Sequence, residues 1–147
     1  MPPRKSAKIQ VTDTCQTKHA HGLGVNEEKI QKILAKAEKP LSAYDVVSAL
    51  SKLLKRNVAP MTVYRALQHL CAHGIVSRIE SSNTYVLCRH PQEDHHCLFF
   101  ICRNCGTATE APDQSIRNTL KKEAQKFGFD INRQVLEVIG LCKDCAE

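Results

Sequence analysis

Apolar residues in the first half of the chain recur at helical spacing in three separate blocks. Ile30, Ile33, Leu34 and Ala37 form one stripe; Val46, Val47, Leu50, Leu53 and Leu54 form a second; Val63, Leu67, Leu70 and Cys71 form a third. Residues three and four apart share a helix face, so each block predicts an amphipathic helix with its stripe turned to a core. The punctuation agrees. Ser42 with Asp45 three positions later reads as a capping box that opens the second helix, Asp standing in for the usual Glu. Pro60 precedes Thr62, read here as the N-cap of the third helix, and Gly74 is placed to end it. Two short strands are expected next, around 75–80 and 84–88, with a turn at Ser81, Ser82 and Asn83. Three helices and a β-hairpin make a winged helix-turn-helix.

The pattern then changes. RHPQED, residues 89–94, is polar and contains Pro, so it reads as a hinge. Apolar LFFIC and then TATEA predict a hairpin joined at Arg103, Asn104, Cys105 and Gly106. Residues 114–127 are helical, with Ile116, Leu120, Ala124 and Phe127 on one face, and 135–142 form another strand. The fold class is therefore α+β, a winged-helix domain joined by a short hinge to a small α/β domain. The boundaries run 1–25 for a flexible basic arm, 26–88 for the first domain, 89–94 for the hinge and 95–147 for the second. Modules of roughly 60 residues bury only a modest share of their surface, so a metal or a dimer interface is expected to supply what their cores lack.

Charge adds little by itself: 21 Lys and Arg against 15 Asp and Glu give +6, which suits a polyanionic partner without requiring one. No apolar run approaches the roughly 20 residues that cross a bilayer, so no membrane partner is expected. MPPRKSAKIQVTDT lacks an apolar core, so the expected location is the cytoplasm. In that setting the eight cysteines point to metal or redox chemistry rather than to disulfides. Cys102, Cys105, Cys142 and Cys145 make two CxxC pairs, and each such turn brings two sulfurs to one tetrahedral zinc. A thioredoxin-like redox pair should open a helix after a strand. The first pair here lies in a hairpin turn and the second beyond the last strand, so structural zinc is the expectation. The chain has no HExxH and no serine nucleophile elbow; no catalytic residue and no small-molecule substrate are assigned.

Opposite its buried stripe the third helix carries Tyr64, Arg65, Gln68 and Ala72. An Arg near a recognition-helix N-terminus can bind guanine bidentately, and Tyr can touch phosphate or a thymine methyl. Arg78 on the hairpin is available to backbone phosphate. Double-stranded DNA is the expected partner, with Thr62 added to the face that meets it.

At these residues the chain resembles a known family. SAYDVVSAL, MTVYRALQHLCAHGIV and ESSNTYVLC are similar to the DNA-binding domain of the zinc-uptake-regulator branch of the ferric-uptake-regulator superfamily. FFICRNCGTATE and CKDC are similar to its dimerisation domain, and the match spans residues 40–145. The resemblance implies a homodimeric, zinc-responsive repressor of zinc-uptake genes that binds operator DNA. It implies structural zinc at the four cysteines above and at least one regulatory zinc. By resemblance Tyr44 and Arg65 fall at base-contacting positions, and the regulatory ligands map onto Cys88, His95 and Glu110. A thiolate, an imidazole and a carboxylate also suit zinc better than iron on chemical grounds. Cys88 and His95 flank the hinge, so a metal held by both would fix the angle between the domains.

Two positions depart from the family pattern. Its fourth regulatory ligand is a His on the first wing strand, where this chain has Ser77, a poor zinc ligand. We take His96 as the substitute, with Cys97, His73, the arm's Cys15, His19 and His21, or water as the others. GLGVNEEK stands where relatives have a leucine-threonine segment with a basic residue near DNA; the basic arm is a candidate replacement. Cys71 is expected to be plain core, and His69 and His73 surface residues. The arm's Cys and His residues are either a solvated tail or an accessory metal site. The competing functions are a sensor of iron, manganese, nickel or peroxide in the same superfamily, an enzyme, or a zinc-ribbon module that binds protein. Cys88 argues against iron and peroxide, the missing motifs against an enzyme, and the winged-helix half against the last.

Overall fold

The computed structural model describes residues 24–89, 96–111, 114–131 and 134–146. The arm up to residue 23, with Cys15, His19 and His21, lies outside these, as do His95 and all of the expected hinge except Arg89.

Helix α1, Val25–Lys36, starts where the Gly24 N–H donates to the Glu27 carboxylate at 2.8 Å. Glu27 and Glu28 sit in its first turn, where the helix dipole favours negative charge. A two-residue strand β1, Leu41–Ser42, leads into α2, Ala43–Leu54. The expected capping box closes it: the Asp45 N–H donates to Ser42 Oγ at 3.1 Å and the Ser42 N–H to the Asp45 carboxylate at 2.9 Å. The Ser42 hydroxyl, and after it the Ser42 N–H, hold the Asp45 carboxyl below its ordinary pKa. Lys55 takes a left-handed conformation at φ 51°, and the Val58 N–H donates to Ser51 Oγ at 3.1 Å, which shapes the turn into the next helix. Helix α3, Pro60–Ala72, is capped by Ala59, not by Thr62. Pro60 already occupies the first helical position, where a missing N–H costs nothing, so the helix starts two residues before Thr62. It ends as Gly74 is reached, at φ 67°, with the Gly74 N–H on Cys71 O and the Ile75 N–H on Leu70 O, both at 3.0 Å. That pair of bonds is a Schellman motif, and Ile75 and Leu70 share the core that accompanies it.

The stripes face that core with three corrections. Leu53 is exposed, Cys71 is half-buried at the edge, and Tyr64 is half-buried against the core rather than free in solvent. Strands β2, Val76–Ile79, and β3, Thr84–Leu87, form the expected hairpin, with Asn83 at φ 51° in its turn. The sequence pattern missed β1, which pairs with β3 to make a sheet of order β1-β3-β2.

Alternation along the hairpin gives it two buried faces. Val76, Tyr85 and Leu87 pack with the three helices, while Val86 and Cys88 join a second core with Cys97, Phe99, Ile101 and Val135. Those partners come from a second sheet of order β5-β4-β6, built from β4 His96–Cys102, β5 Ala108–Ala111 and β6 Gln134–Gly140. β4 and β5 are the expected hairpin, and β6 returns parallel to β4 after helix α4, Gln114–Lys126. Register sets Glu110 and Glu137 on either side of the fully buried Phe99. Glu137 accepts the Glu80 N–H at 2.6 Å and the Ser81 N–H at 3.1 Å, so β6 ties down the tip of the first hairpin. Burial raises the Glu137 carboxyl, but hydrogen bonds from Ser81 and the Glu80 N–H outweigh it and leave the pKa lowered.

The apolar face of α4 is the largest departure. Ile116 and Phe127 are exposed, the latter by 83%, because no element of the described chain covers them. Leu120, Ala124, Phe129 and Leu136 line an open apolar groove beside them.

Ser42→Ala removes the hydroxyl that serves the Asp45 N–H, and such caps are worth about 0.5–2 kcal/mol. Urea unfolding of metal-saturated protein should show a midpoint lowered accordingly with an unchanged slope. An unchanged midpoint would mean that Asp45 holds the helix start alone.

Candidate metal centres

The four cysteines of the CxxC pairs meet as expected. Cys102 ends β4, and the chain reverses through a turn in which the Gly106 N–H donates to Cys102 O at 2.9 Å. Gly106 sits at φ 74°, a conformation only glycine adopts freely. Beyond β6 a second turn forms, with the Cys145 N–H on Cys142 O at 2.9 Å, and β4–β6 pairing brings it beside the first. All four sulfurs lie within 4.8 Å of one another, and Cys105 Sγ is 3.8 Å from Cys142 Sγ. Zinc–sulfur bonds of about 2.3 Å in a tetrahedron place sulfurs roughly 3.8 Å apart, so the set fits that ion. Backbone N–H groups of Cys105 and Cys142 stabilise the Cys102 thiolate and lower its pKa to about 6. Thr107, through its hydroxyl and then its N–H, lowers that of Cys105. Burial and the neighbouring thiols push Cys142 up to about 12. A site that presents a ready thiolate and N–H donors to it, yet holds another thiol protonated, is suited to a cation that displaces the remaining protons.

A second cluster lies between the two sheets. Cys88, Cys97 and Glu110 bring their ligand atoms within 4.8 Å of one another. The sulfurs of Cys88 and Cys97 are 3.4 Å apart, and Ser77 Oγ is 3.3 Å from the first and 3.2 Å from the second. The hydrogen bond with Cys97, and then burial, push the Cys88 thiol far above its ordinary range, against the hydrogen bond from Ser77. The Arg89 N–H donates to the Glu110 carboxylate at 3.0 Å, so the residue after Cys88 already holds the group from β5.

Of the expected regulatory residues, the structure thus joins Cys88 and Glu110. His95 is outside the described residues, and so is the side chain of His96, the residue chosen on sequence as the substitute for Ser77. Cys97 stands in the cluster instead. A signal for it was present: the turn after Cys102 pairs Glu110 with Phe99, and Cys97 shares the Phe99 face by alternation. His73 is exposed and its Nδ1 lies 2.9 Å from His69 O, while His69 Nδ1 is 2.9 Å from Glu27, so both act within the helices.

On the outer side of the helices, Thr62, Arg65 and Gln68 of α3 are exposed, and Tyr44 near the start of α2 is 71% exposed. Arg78 is exposed but engaged, with its Nε 3.1 Å from Asn83 Oδ1 and 3.5 Å from the Glu80 carboxylate. Tyr64 offers less surface than its neighbours, being packed inward.

The family model for the ferric uptake regulator family matches residues 23–139. The zinc uptake regulation protein of Escherichia coli K12 is 34% identical over 120 residues, covering 81% of this chain and 70% of its own length. A solved zinc uptake regulator complexed with zinc and DNA superposes with a TM-score of 0.77 at 31% identity, over 84% of this chain and 82% of that one. The crystal structure of holo XcZur gives a TM-score of 0.74 at 38% identity, over 84% of this chain and 86% of that one.

Replacing Cys102 or Cys142 by Ser should cost one equivalent of bound metal per chain together with the native melting transition, because structural metal binding supplies folding free energy directly. Either variant with full metal content and a native melt would show that the four sulfurs hold no structural ion.

Proposed function

The chain belongs to the ferric uptake regulator family, and within it we propose a zinc-responsive transcriptional repressor that binds operator DNA as a homodimer in the cytoplasm. The observation that carries this is the separation of two sulfur-rich clusters. One is closed within the second sheet, and the other lies where the first hairpin meets that sheet.

Residues 26–88 act as the winged-helix reading head, 89–94 as the hinge and 95–147 as the dimerisation and metal-binding domain. Arg65, Gln68 and Thr62 on the exposed side of α3, and the exposed Tyr44 near the start of α2, meet the major groove; Arg65 reads a base. Arg78 and Tyr64 are assigned to the DNA backbone, Arg78 by exchanging its bonds to Asn83 and Glu80 for a phosphate. Exposed Ile116 on α4 and Phe127 and Phe129 just after it, with the apolar groove lined by Leu120, Ala124 and Leu136, support a second copy as their cover. Repression follows from occupancy of the operator, and no step assigns this chain a catalytic residue.

Cys102, Cys105, Cys142 and Cys145 would hold the structural zinc. Cys88 and Glu110, with His95 from the sequence, would hold the regulatory one. That zinc supplies a coordinate link between residues of the two sheets. Cys88 brings the first hairpin to the link and Glu110 brings β5, so metal occupancy biases the angle at which the dimer presents its two α3 helices. Sulfur donors favour zinc over manganese or iron, which prefer oxygen and nitrogen sets.

Promoter fragments of zinc-transport genes, titrated at fixed salt with buffered free zinc, should bind about 5–150-fold more tightly when zinc is present, the range of a 1–3 kcal/mol coupling. Arg65→Ala should cost roughly 1–3 kcal/mol on those fragments and far less on scrambled DNA. Zinc-independent binding would contradict the sensory role, and an equal loss on both DNAs would contradict base reading.

A further inference from the structure

We propose that Cys97 is itself a ligand of the regulatory metal, so that the site at the junction is built on two thiolates and a carboxylate, with Ser77 hydrogen-bonding to the sulfurs instead of coordinating. This rests on the junction being the sensory site.

The geometry comes from three strands and the residue that ends one of them. Cys88 follows β3, Cys97 lies near the start of β4, and Glu110 is on β5 in register with Phe99. Alternation along β4 puts Cys97, Phe99 and Ile101 on one face, and that face meets Val86 and Cys88. A cysteine serving only as apolar filler would meet carbon. Cys97 instead lies 3.4 Å from a second sulfur and 3.2 Å from the Ser77 hydroxyl, with the Glu110 carboxylate in the same cluster. Four polar groups, from Ser77, Cys88, Cys97 and Glu110, converge beside the apolar side chains of Val86, Phe99, Ile101 and Val135.

Ser77 explains itself in this arrangement. A neutral hydroxyl is a poor ligand for zinc, but an O–H within 3.3 Å of both sulfurs can donate its one proton to either thiolate and steady its charge. The sulfur from β4 thereby supplies what β2 does not. The sulfurs are 3.4 Å apart and would need roughly 3.8 Å around zinc. A cavity of about 90 Å³ lined by Cys71, Gly74, Val76, Ser77, Cys97 and Val135 gives them room to separate. Two thiolates make the site softer than one, which raises its preference for zinc and cobalt over iron and manganese. They also divide the sulfur donors between the two sides of the junction, one from the hairpin and one from the second sheet.

The test uses the full chain with its four-cysteine site filled by zinc, titrated with cobalt(II). Thiolate-to-cobalt charge-transfer absorbance is read per cobalt bound at the second site, and the zinc count per chain reports that each variant keeps its fold. Cys97→Ser should lower that absorbance to about half, one of two thiolates being gone, and should weaken cobalt binding. Cys97→His keeps a donor at the position, so it should show the same halved absorbance while binding cobalt more tightly than Cys97→Ser, and it decides the matter if the serine variant does not fold. Ser77→Ala should leave the absorbance per cobalt at the wild-type level. Wild-type absorbance in both Cys97 variants, with a loss in Cys88→Ser, would overturn the role of Cys97 and leave the junction site standing. Absorbance unmoved by Cys88→Ser and by the Cys97 variants alike would overturn the junction site itself.

Discussion

The face of the first hairpin that carries Ser77, Val86 and Cys88 points away from the three helices. It is buried because Cys97, Phe99 and Ile101 of β4 come up against it. Full burial of a side chain such as Phe99 is worth roughly 1.5–3 kcal/mol, which a contact this small cannot multiply many times over. The contact is therefore modest. Glu137 adds hydrogen bonds to the hairpin tip at one place, and the Arg89 N–H to Glu110 adds one near the cysteines. A junction with modest contacts among the described residues is one whose preferred arrangement a ligand of a few kcal/mol can shift.

The junction gathers groups that can ligate a cation in a buried place. The sulfurs of Cys88 and Cys97 are within hydrogen-bonding distance there, and Glu110 lies close by. Binding a dication there must release thiol protons, and in exchange makes the two sulfurs and the carboxylate ligands of one ion. The four-cysteine centre differs in kind. Backbone N–H groups hold Cys102 as a ready thiolate and a strand pairing fixes the two turns, so it belongs to the stability of the second sheet. The two clusters thus differ in place: one is set by the turns at the ends of β4 and β6, the other by the meeting of the first hairpin with the second sheet.

Much of this was legible in the residues. Helical periodicity located α1, α2, α3 and α4; the Ser42–Asp45 box located the start of α2 to the residue; two CxxC pairs located the closed centre. What escaped had tertiary causes. β1 is two residues long, too short for any period, and exists because β3 offers it an edge. Thr62 lost the cap to Ala59 because Pro60 fits the first helical position. The stripe on α4 predicts a buried face, yet the described chain supplies nothing to cover it, since periodicity reports that a face is apolar and not which molecule meets it. Register and parity fix the face of β4 that brings Cys97 to Cys88, which residue type alone does not report; the His96 side chain lies outside the described residues.

The regulatory metal would act by locking the junction between the hairpin and the second sheet. Amide hydrogen exchange, followed by mass spectrometry as zinc is added to protein whose four-cysteine site is already filled, reads this directly. Exchange should slow across β2 and β3 and along β4 and β5, with little change in α1. Zinc that raised operator affinity while leaving exchange at those strands untouched would contradict the account.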